Sequence, residues 1–339
     1  MPTALAEVLP TAMKILIYVS WPVHAWSIPD TAVEALCRRC PDIEFVHVRT
    51  PEEALVAIHD VDAVLAAQLT PDMVAAATQL CWVHSSAVNV LGLLPLPELA
   101  TRGIAISNSR GIQGGPIAET VLGGLLMLRR KMVPTLDAQR AHRWIQNALV
   151  DDMPIVLSGQ RMAIIGLGGI GLEVAARAHA FGMTVVGVRR RLAEPLPVSV
   201  SAVYGPDQLS EALEGADVLV VAATSGHATE RLVGARELAR LNPGAILVNV
   251  ARASIVDQEA LLAALRSGAL GGALLDVFQQ EPLDPAHPLW DAPNVLITPH
   301  SAGFNARHWE HVIALYLENI ARFRAGSPLR YEVDSTTGY

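Results

Sequence analysis

Short apolar runs alternate with stretches of helical period along most of the chain. In the first third, Lys14–Val19, Ile43–Val48, Asp62–Ala66, Leu80–His84 and Ile104–Ser107 predict strands. Between them, Thr31–Arg39, Pro51–Ile58 and Pro71–Thr78 space their apolar residues as helices do. Pro51 and Pro71 each follow a threonine, so a Thr N-cap with Pro at the first helical position occurs twice. Alternation on this scale implies a parallel sheet covered on both faces.

A longer helical stretch, Pro116–Lys131, leads out of this series, and Pro134–Leu157, which contains Trp144, has no clear strand. A second series opens with a strand at Arg161–Gly166 and a helix at Gly171–Phe181. Strands at Thr184–Val188, Asp217–Ala223, Ala245–Val250, Ala273–Val277 and Asn294–Thr298 bring this series to six, the count of a full dinucleotide fold. A helical pattern over Ala306–Arg324 follows Pro299. The expectation is an α/β protein of two Rossmann-like, doubly wound parallel-sheet domains.

Composition agrees with two globular domains: 339 residues, 51% hydrophobic and 17% charged. A net charge of −8 argues against broad electrostatic binding of nucleic acid or anionic membranes. No apolar run approaches the roughly 18 residues of a membrane-spanning helix. The first twelve residues lack the basic start and long apolar stretch of a signal peptide and read as a leader, with Met13 an alternative start. Cys37 and Cys40 have CxxC spacing but lie within a helical pattern, and with Cys81 they are too few for a disulfide scaffold. A soluble cytoplasmic protein is expected. Only Lys14 and Lys131 are lysines, so an arginine in this chain carries less functional weight than usual.

The series of strands gains chemistry at Gly166-Leu-Gly168-Gly169-Ile170-Gly171, which ends one apolar strand and opens a helix. Gly166 allows the tight turn, Gly168 lets backbone approach a pyrophosphate, and Gly171 permits close helix–strand contact, with Gly169 and Ile170 opening the helix. About 20 residues on, a strand that prefers NAD would end in Asp or Glu. Here Val188 is followed by Arg189, Arg190 and Arg191. Guanidinium groups can hold a 2′-phosphate bidentately, so NADP(H) is the expected cofactor, with NAD(H) the alternative.

Three later apolar runs end on, or shortly before, residues that hydride-transfer chemistry can use: Arg252, Glu281 and His300. Ligands of doubly wound sheets bind outside the carboxyl ends of strands. Arg252 can pair with a substrate carboxylate through two parallel hydrogen bonds. His300 can give or take the proton on the reacting oxygen, and Glu281 beside it would favour the imidazolium and fix its orientation.

The pieces SNSRGIQGGPIAE, LSGQRMAIIGLGGIG, LVNVARASIVD, GGALLDVFQQEPL and ITPHSAG, in this order from about Ile104 to Gly303, resemble the D-2-hydroxyacid dehydrogenases, in particular glyoxylate/hydroxypyruvate reductases. The resemblance implies that Arg252 orients a small 2-oxo acid, that His300 is the acid/base supported by Glu281, and that Asp276 contacts the cofactor near the nicotinamide amide, beside Ala251. It implies a flavodoxin-like catalytic domain, 1–115 plus 302–339, into which a dinucleotide domain, 116–301, is inserted. A homodimer joined through the dinucleotide domain, with an arm around Trp144, is implied too. The implied reaction is reversible reduction of a 2-oxo acid to a D-2-hydroxy acid. Phosphite oxidation on the same fold and a non-catalytic, cofactor-sensing co-repressor are the alternatives, while Glu281 argues against formate.

The sequence departs from that family at several points. The substrate-carboxylate turn reads Ala87-Val88-Asn89, with Asn89 in the place of a glycine and able to take positive φ. A proline turn is replaced by Thr224-Ser225-Gly226, and Gln279 stands where many relatives have Glu. Trp21, His24, Trp26 and Trp309 follow strands or the His300 turn and are candidate pocket walls, with ordinary packing as the alternative.

Overall fold

The computed structural model describes residues 13–23, 26–193, 195–335 and 338. They divide into two compact units, one within Met1–Ile112 and Ala306–Tyr339 and the other Gln113–Asn305.

In the first unit, strands β1 (Met13–Tyr18), β2 (Ile43–His47), β3 (Ala63–Ala66), β4 (Trp82–Ser85) and β5 (Ala105–Asn108) form a parallel sheet of order β2-β1-β3-β4-β5. That is the flavodoxin-like order. Helices α1 (Asp30–Arg39), α2 (Pro51–Ala57), α3 (Pro71–Ala76) and α4 (Leu96–Thr101) connect the strands. Both threonine caps form: Thr50 Oγ1 accepts from the Glu53 N–H and Thr70 Oγ1 from the Met73 N–H. Ile15, Ile17, Leu65 and Trp82 build the core on one face of the sheet, Leu16, Val64 and Val83 that on the other.

The second unit begins with α5 (Gly114–Arg129), α6 (Met132–Arg140) and α7 (Gln146–Asp151). Strands β6 (Arg161–Ile165), β7 (Thr184–Val188), β8 (Ala202–Tyr204), β9 (Val218–Val221), β10 (Ala245–Asn249), β11 (Leu270–Leu275) and β12 (Val295–Ile297) follow. Their helices are α8 (Gly169–Ala180), α9 (Leu209–Leu213), α10 (Ala235–Leu238) and α11 (Gln258–Arg266). All strand pairs are parallel, in the order β12-β11-β10-β9-β6-β7-β8. The six strands expected here are seven. β8 escapes the sequence pattern because it is three residues long, only partly buried, and paired on one side by β7 alone.

Residues 302–305 group with the second unit, although a boundary at 301 was the expectation. Ala302 joins its core and its carbonyl accepts from Thr120 Oγ1 at 3.1 Å. A final helix, α12 (His308–Arg324), returns to the first unit, where Ile313, Tyr316, Ile320 and Phe323 complete the core around Trp82. The segment Tyr331–Val333 runs antiparallel along β5: Asn108 N–H donates to the Tyr331 carbonyl and Val333 N–H to the Ile106 carbonyl.

Candidate active site

Within the second unit the glycine turn leaves β6 at a reversal of strand order, with β7 on one side of β6 and β9 on the other. Gly166 has φ +99°, and a Cβ there would lie 2.6 Å from the Ala223 backbone. A Cβ on Gly171 would stand 2.0 Å from the Gly166 carbonyl oxygen, so helix α8 approaches the turn as only glycine allows. A Cβ on Gly168, by contrast, would meet nothing within 4 Å. The turn is tight where the chain folds back and open at Gly168, at the start of the twelve-residue α8 beside Gly169 and Ile170. Its unpaired N–H groups and positive dipole end suit a pyrophosphate.

Arg189 continues from β7, its N–H donating to the Tyr204 carbonyl and its Nη2 to the Pro195 carbonyl at 3.3 Å. Arg190 is exposed. No carboxylate follows this strand before residue 194. The Thr224-Ser225-Gly226 segment is closed by Thr229, whose Oγ1 donates to the Thr224 carbonyl and accepts from the Gly226 N–H, in place of a proline.

Arg252, Glu281 and His300 come together beyond the carboxyl ends of β10, β11 and β12. Glu281 Oε2 accepts from His300 Nδ1 at 2.7 Å, and Glu281 Oε1 accepts from the Phe278 N–H at 2.9 Å. Partial burial pushes the Glu281 carboxyl up. The His300 and Phe278 hydrogen bonds, with the charges of His300 and Arg252, outweigh that and hold it below the usual carboxylate range. Arg252 is exposed, and its Nη1 donates to the carbonyl of Ala251 at 2.7 Å.

Asp276 is 3% exposed and organises the histidine. Its Oδ1 accepts from Thr298 Oγ1 (2.6 Å), Ser301 N–H (2.8 Å) and Ala302 N–H (3.0 Å), while its carbonyl accepts from the His300 N–H. His300 sits at φ +52°, in the left-handed region that disfavours branched and bulky side chains. The three bonds to Asp276 hold the loop in that conformation. The family resemblance implies a cofactor contact for Asp276; the structure adds this positioning part. A separate hollow of about 130 Å³, lined by Arg231, Asp257, Gln258, Glu259 and Gln279, contains none of the three.

In the first unit, the turn after β4 is fixed from below by the end of β5. Ser109 Oγ donates to the Ser85 carbonyl, Ser109 N–H to the Ala87 carbonyl, and Asn108 Nδ2 to the Val88 carbonyl at 2.7 Å. Among the described residues the N–H groups of Val88 and Asn89 have no acceptor, which leaves them for an anion. Asn89 does not take the positive φ expected of it. Its side chain replaces glycine's freedom with an Asx turn, Oδ1 accepting from the Leu91 N–H at 3.1 Å.

Beneath this turn His84 is fully buried, and burial pushes its pKa down to about 3, so it is neutral. Trp82 Nε1 donates to Ser107 Oγ, which lies 2.7 Å from His84 Nδ1; His84 Nε2 lies 3.4 Å from Ser109 Oγ. Donor matching assigns the Nε2–H tautomer, because Ser109 donates onward to Ser85. His84, Asn108 and Ser109 were not read from the sequence as site residues. The signal was there, in apolar strands that end on polar residues.

Of the tryptophans, Trp21 packs edge-on to Trp26 at 6.3 Å and Trp309 packs against the first unit's core. Trp144 is 89% exposed, and His24 lies outside the described residues. Cys37, Cys40 and Cys81 are free thiols. No helix among the described residues is long and apolar enough to cross a membrane.

Residues 122–302 match the family model of the D-isomer specific 2-hydroxyacid dehydrogenase NAD binding domain. The chain is 32% identical over 286 residues to a glyoxylate reductase of Thermococcus gammatolerans, covering 81% of this chain and 84% of that one. It is 33% identical over 232 residues to a glycerate dehydrogenase of Methylorubrum extorquens, covering 67% and 71%. A D-isomer specific 2-hydroxyacid dehydrogenase family protein of Aeromonas salmonicida superposes with TM-score 0.78 at 30% identity, over 95% of this chain and 99% of that one. A D-isomer specific 2-hydroxyacid dehydrogenase of Xanthobacter autotrophicus, solved with NADPH and MES, gives 0.77 at 29%, over 96% and 99%. With two parallel α/β sheets, a dinucleotide cradle and a family model matched over more than half its length, the chain belongs to the D-isomer specific 2-hydroxyacid dehydrogenases and is an NAD(P)-dependent oxidoreductase.

Proposed function

We propose that the protein reduces a small 2-oxo acid to a D-2-hydroxy acid, reversibly, with NADPH as the preferred reductant. The observation that carries this reading is the His300–Glu281 hydrogen bond within the field of Arg252, beyond the strand ends of a unit that opens on a glycine cradle. Bound at Gly166, Gly168, Gly169, Ile170 and Gly171, the nicotinamide cofactor supplies the hydride. In the second unit Arg252 binds the substrate carboxylate and orients the carbonyl; in the first, the free N–H groups of Val88 and Asn89, at the turn that begins with Ala87, are anion-binding groups in their own right. His300 delivers a proton to the carbonyl oxygen, and Glu281 holds its ring through Nδ1. Asp276 keeps the histidine loop in register and, with Ala251, borders the nicotinamide. Arg189 and Arg190, following β7 where an NAD-preferring strand would end in Asp or Glu, favour the 2′-phosphate of NADP(H) over the ribose hydroxyl of NAD(H).

Glyoxylate and hydroxypyruvate are the first candidate substrates, in keeping with the relatives' names. NADPH oxidation should be followed with glyoxylate, hydroxypyruvate, pyruvate, phenylpyruvate and branched 2-oxo acids. His300→Ala should lower kcat by about 10²–10⁴-fold, with NADPH affinity kept. Near-normal turnover in that variant, or a clear preference for NADH, refutes the corresponding part of the reading. Exposed Met132, Trp144, Val150, Met153 and Val156 in the second unit support a homodimer, testable by light scattering of the purified chain.

A further inference from the structure

Asn249 ends β10 and is 2% exposed, a buried polar side chain among Val248, Val250 and Ala251. Its amide makes one hydrogen bond through each end. Oδ1 accepts from the Ala251 N–H at 3.1 Å, and Nδ2 donates to the Arg252 carbonyl at 3.1 Å. The Asn249 carbonyl accepts from the Asp276 N–H at 3.0 Å. One side chain therefore grips the backbone just before and just after the Arg252 Cα. The Arg252 carbonyl also accepts from the Ile255 N–H, which closes the short 3-10 turn Ala253–Ile255. The exposed Arg252 side chain turns back so that its Nη1 donates to the carbonyl of Ala251 at 2.7 Å, the residue whose N–H Asn249 Oδ1 holds.

We propose that Asn249 is a positioning residue: it sets the aim of the Arg252 guanidinium at the substrate carboxylate. Through its carbonyl and Asp276 it joins that turn to the loop carrying His300. The inference rests on the reading of Arg252 as the carboxylate clamp. The position demands one acceptor and one donor at equal reach, which an amide supplies. A carboxylate would face the Arg252 carbonyl with a second acceptor, and an aliphatic side chain of similar size would leave both backbone groups unmet.

Asn249→Leu and Asn249→Asp test this in the full-length protein. An imprecise clamp weakens carboxylate binding in ground and transition state alike, so the loss belongs in KM. We expect KM for glyoxylate, and Ki for the non-reducible carboxylate oxamate, to rise together by about tenfold in Asn249→Leu. The rise should be smaller in Asn249→Asp, which keeps the Ala251 acceptor; kcat and the Kd of NADPH should stay within about threefold. Where Asn249→Leu fails to fold, Asn249→Asp carries the test alone. Equal losses in kcat, KM and NADPH binding would show a merely structural residue and overturn the proposal, as would an unchanged oxamate Ki. A wild-type protein inert towards every 2-oxo acid overturns the functional reading as well, whereas an active wild type with unaffected variants overturns this proposal alone.

Discussion

Glu281→Gln isolates what the carboxylate does for His300. One carboxylate group receives two donors, the Phe278 N–H at 2.9 Å and His300 Nδ1 at 2.7 Å. An amide of the same shape has a single acceptor atom, so whichever way it turns, one donor is met by an N–H. A lost charge-assisted bond is worth about 1.5–3 kcal/mol when protected from solvent. The Glu281 and His300 side chains are 37% and 51% exposed, so solvent screening about halves that. The remaining ~0.75–1.5 kcal/mol corresponds to a fall of about 3- to 10-fold in kcat for 2-oxo-acid reduction. NADPH affinity, set at the glycine turn, should stay within about twofold. The pH dependence follows from the lowered Glu281 pKa: the carboxylate form persists above its ordinary value of 4.5 and is lost only as pH falls through a lower one. The contribution of the carboxylate should therefore persist down to about pH 5 and shrink below 4.5. Stopped-flow measurement of NADPH oxidation at pH 6 and below gives the ratio of wild-type to variant rate. A ratio near one at pH 6 would refute the reasoning.

Three further outcomes are open to measurement. Gly171→Ala places a Cβ 2.0 Å from the Gly166 carbonyl oxygen and should cost about 1–3 kcal/mol of stability and at least about tenfold in NADPH affinity; titration of NADPH fluorescence showing wild-type binding would contradict the packing argument. His84, held neutral by burial down to about pH 3, contributes stability fully above 6.5 and progressively less as pH falls, because the unfolded chain takes up a proton that the folded chain refuses; the slope is about 1.4 kcal/mol per pH unit. His84→Gln should flatten the change in urea midpoint between pH 7 and 5, and an unaltered slope would assign acid sensitivity elsewhere. Asn108→Leu removes the donor to the Val88 carbonyl and should raise KM for glyoxylate by about tenfold, with NADPH affinity retained; an unchanged KM would show that the turn holds its shape without it.

What could be read from the sequence was whatever repeats or whatever is extreme. Strands buried on both faces announce themselves as unbroken apolar runs, and the glycine turn announces itself by spacing, because a Cβ at Gly166 or Gly171 would strike backbone. β8 was hidden by its brevity and by its edge position, where its residues are only partly buried and a continuous apolar run is not required. At Asn89 the sequence leaves the backbone route open: asparagine tolerates positive φ, but here it shapes the turn by hydrogen-bonding the Leu91 N–H from an ordinary φ. Asp276 came to notice only through the family resemblance, because its three acceptances from the Thr298–Ala302 loop depend on partners 22 to 26 residues away.

The two units solve the same local problem in the same way. Where a buried strand stops, its last side chain is still in the core while the backbone beyond it has left the ladder and needs new partners. β5 stops on Asn108 and β10 on Asn249, and each amide meets the carbonyl of a nearby turn, at Val88 and at Arg252. An amide suits the place because it is uncharged, so burial costs little once it is bonded, and because it offers a donor and an acceptor from one rigid plane. Each asparagine thus converts the rigidity of a sheet into the rigidity of one turn. The groups so held are two free backbone amides in one unit and an arginine in the other, and in each unit an anion-binding group is fixed by the last side chain of a buried strand.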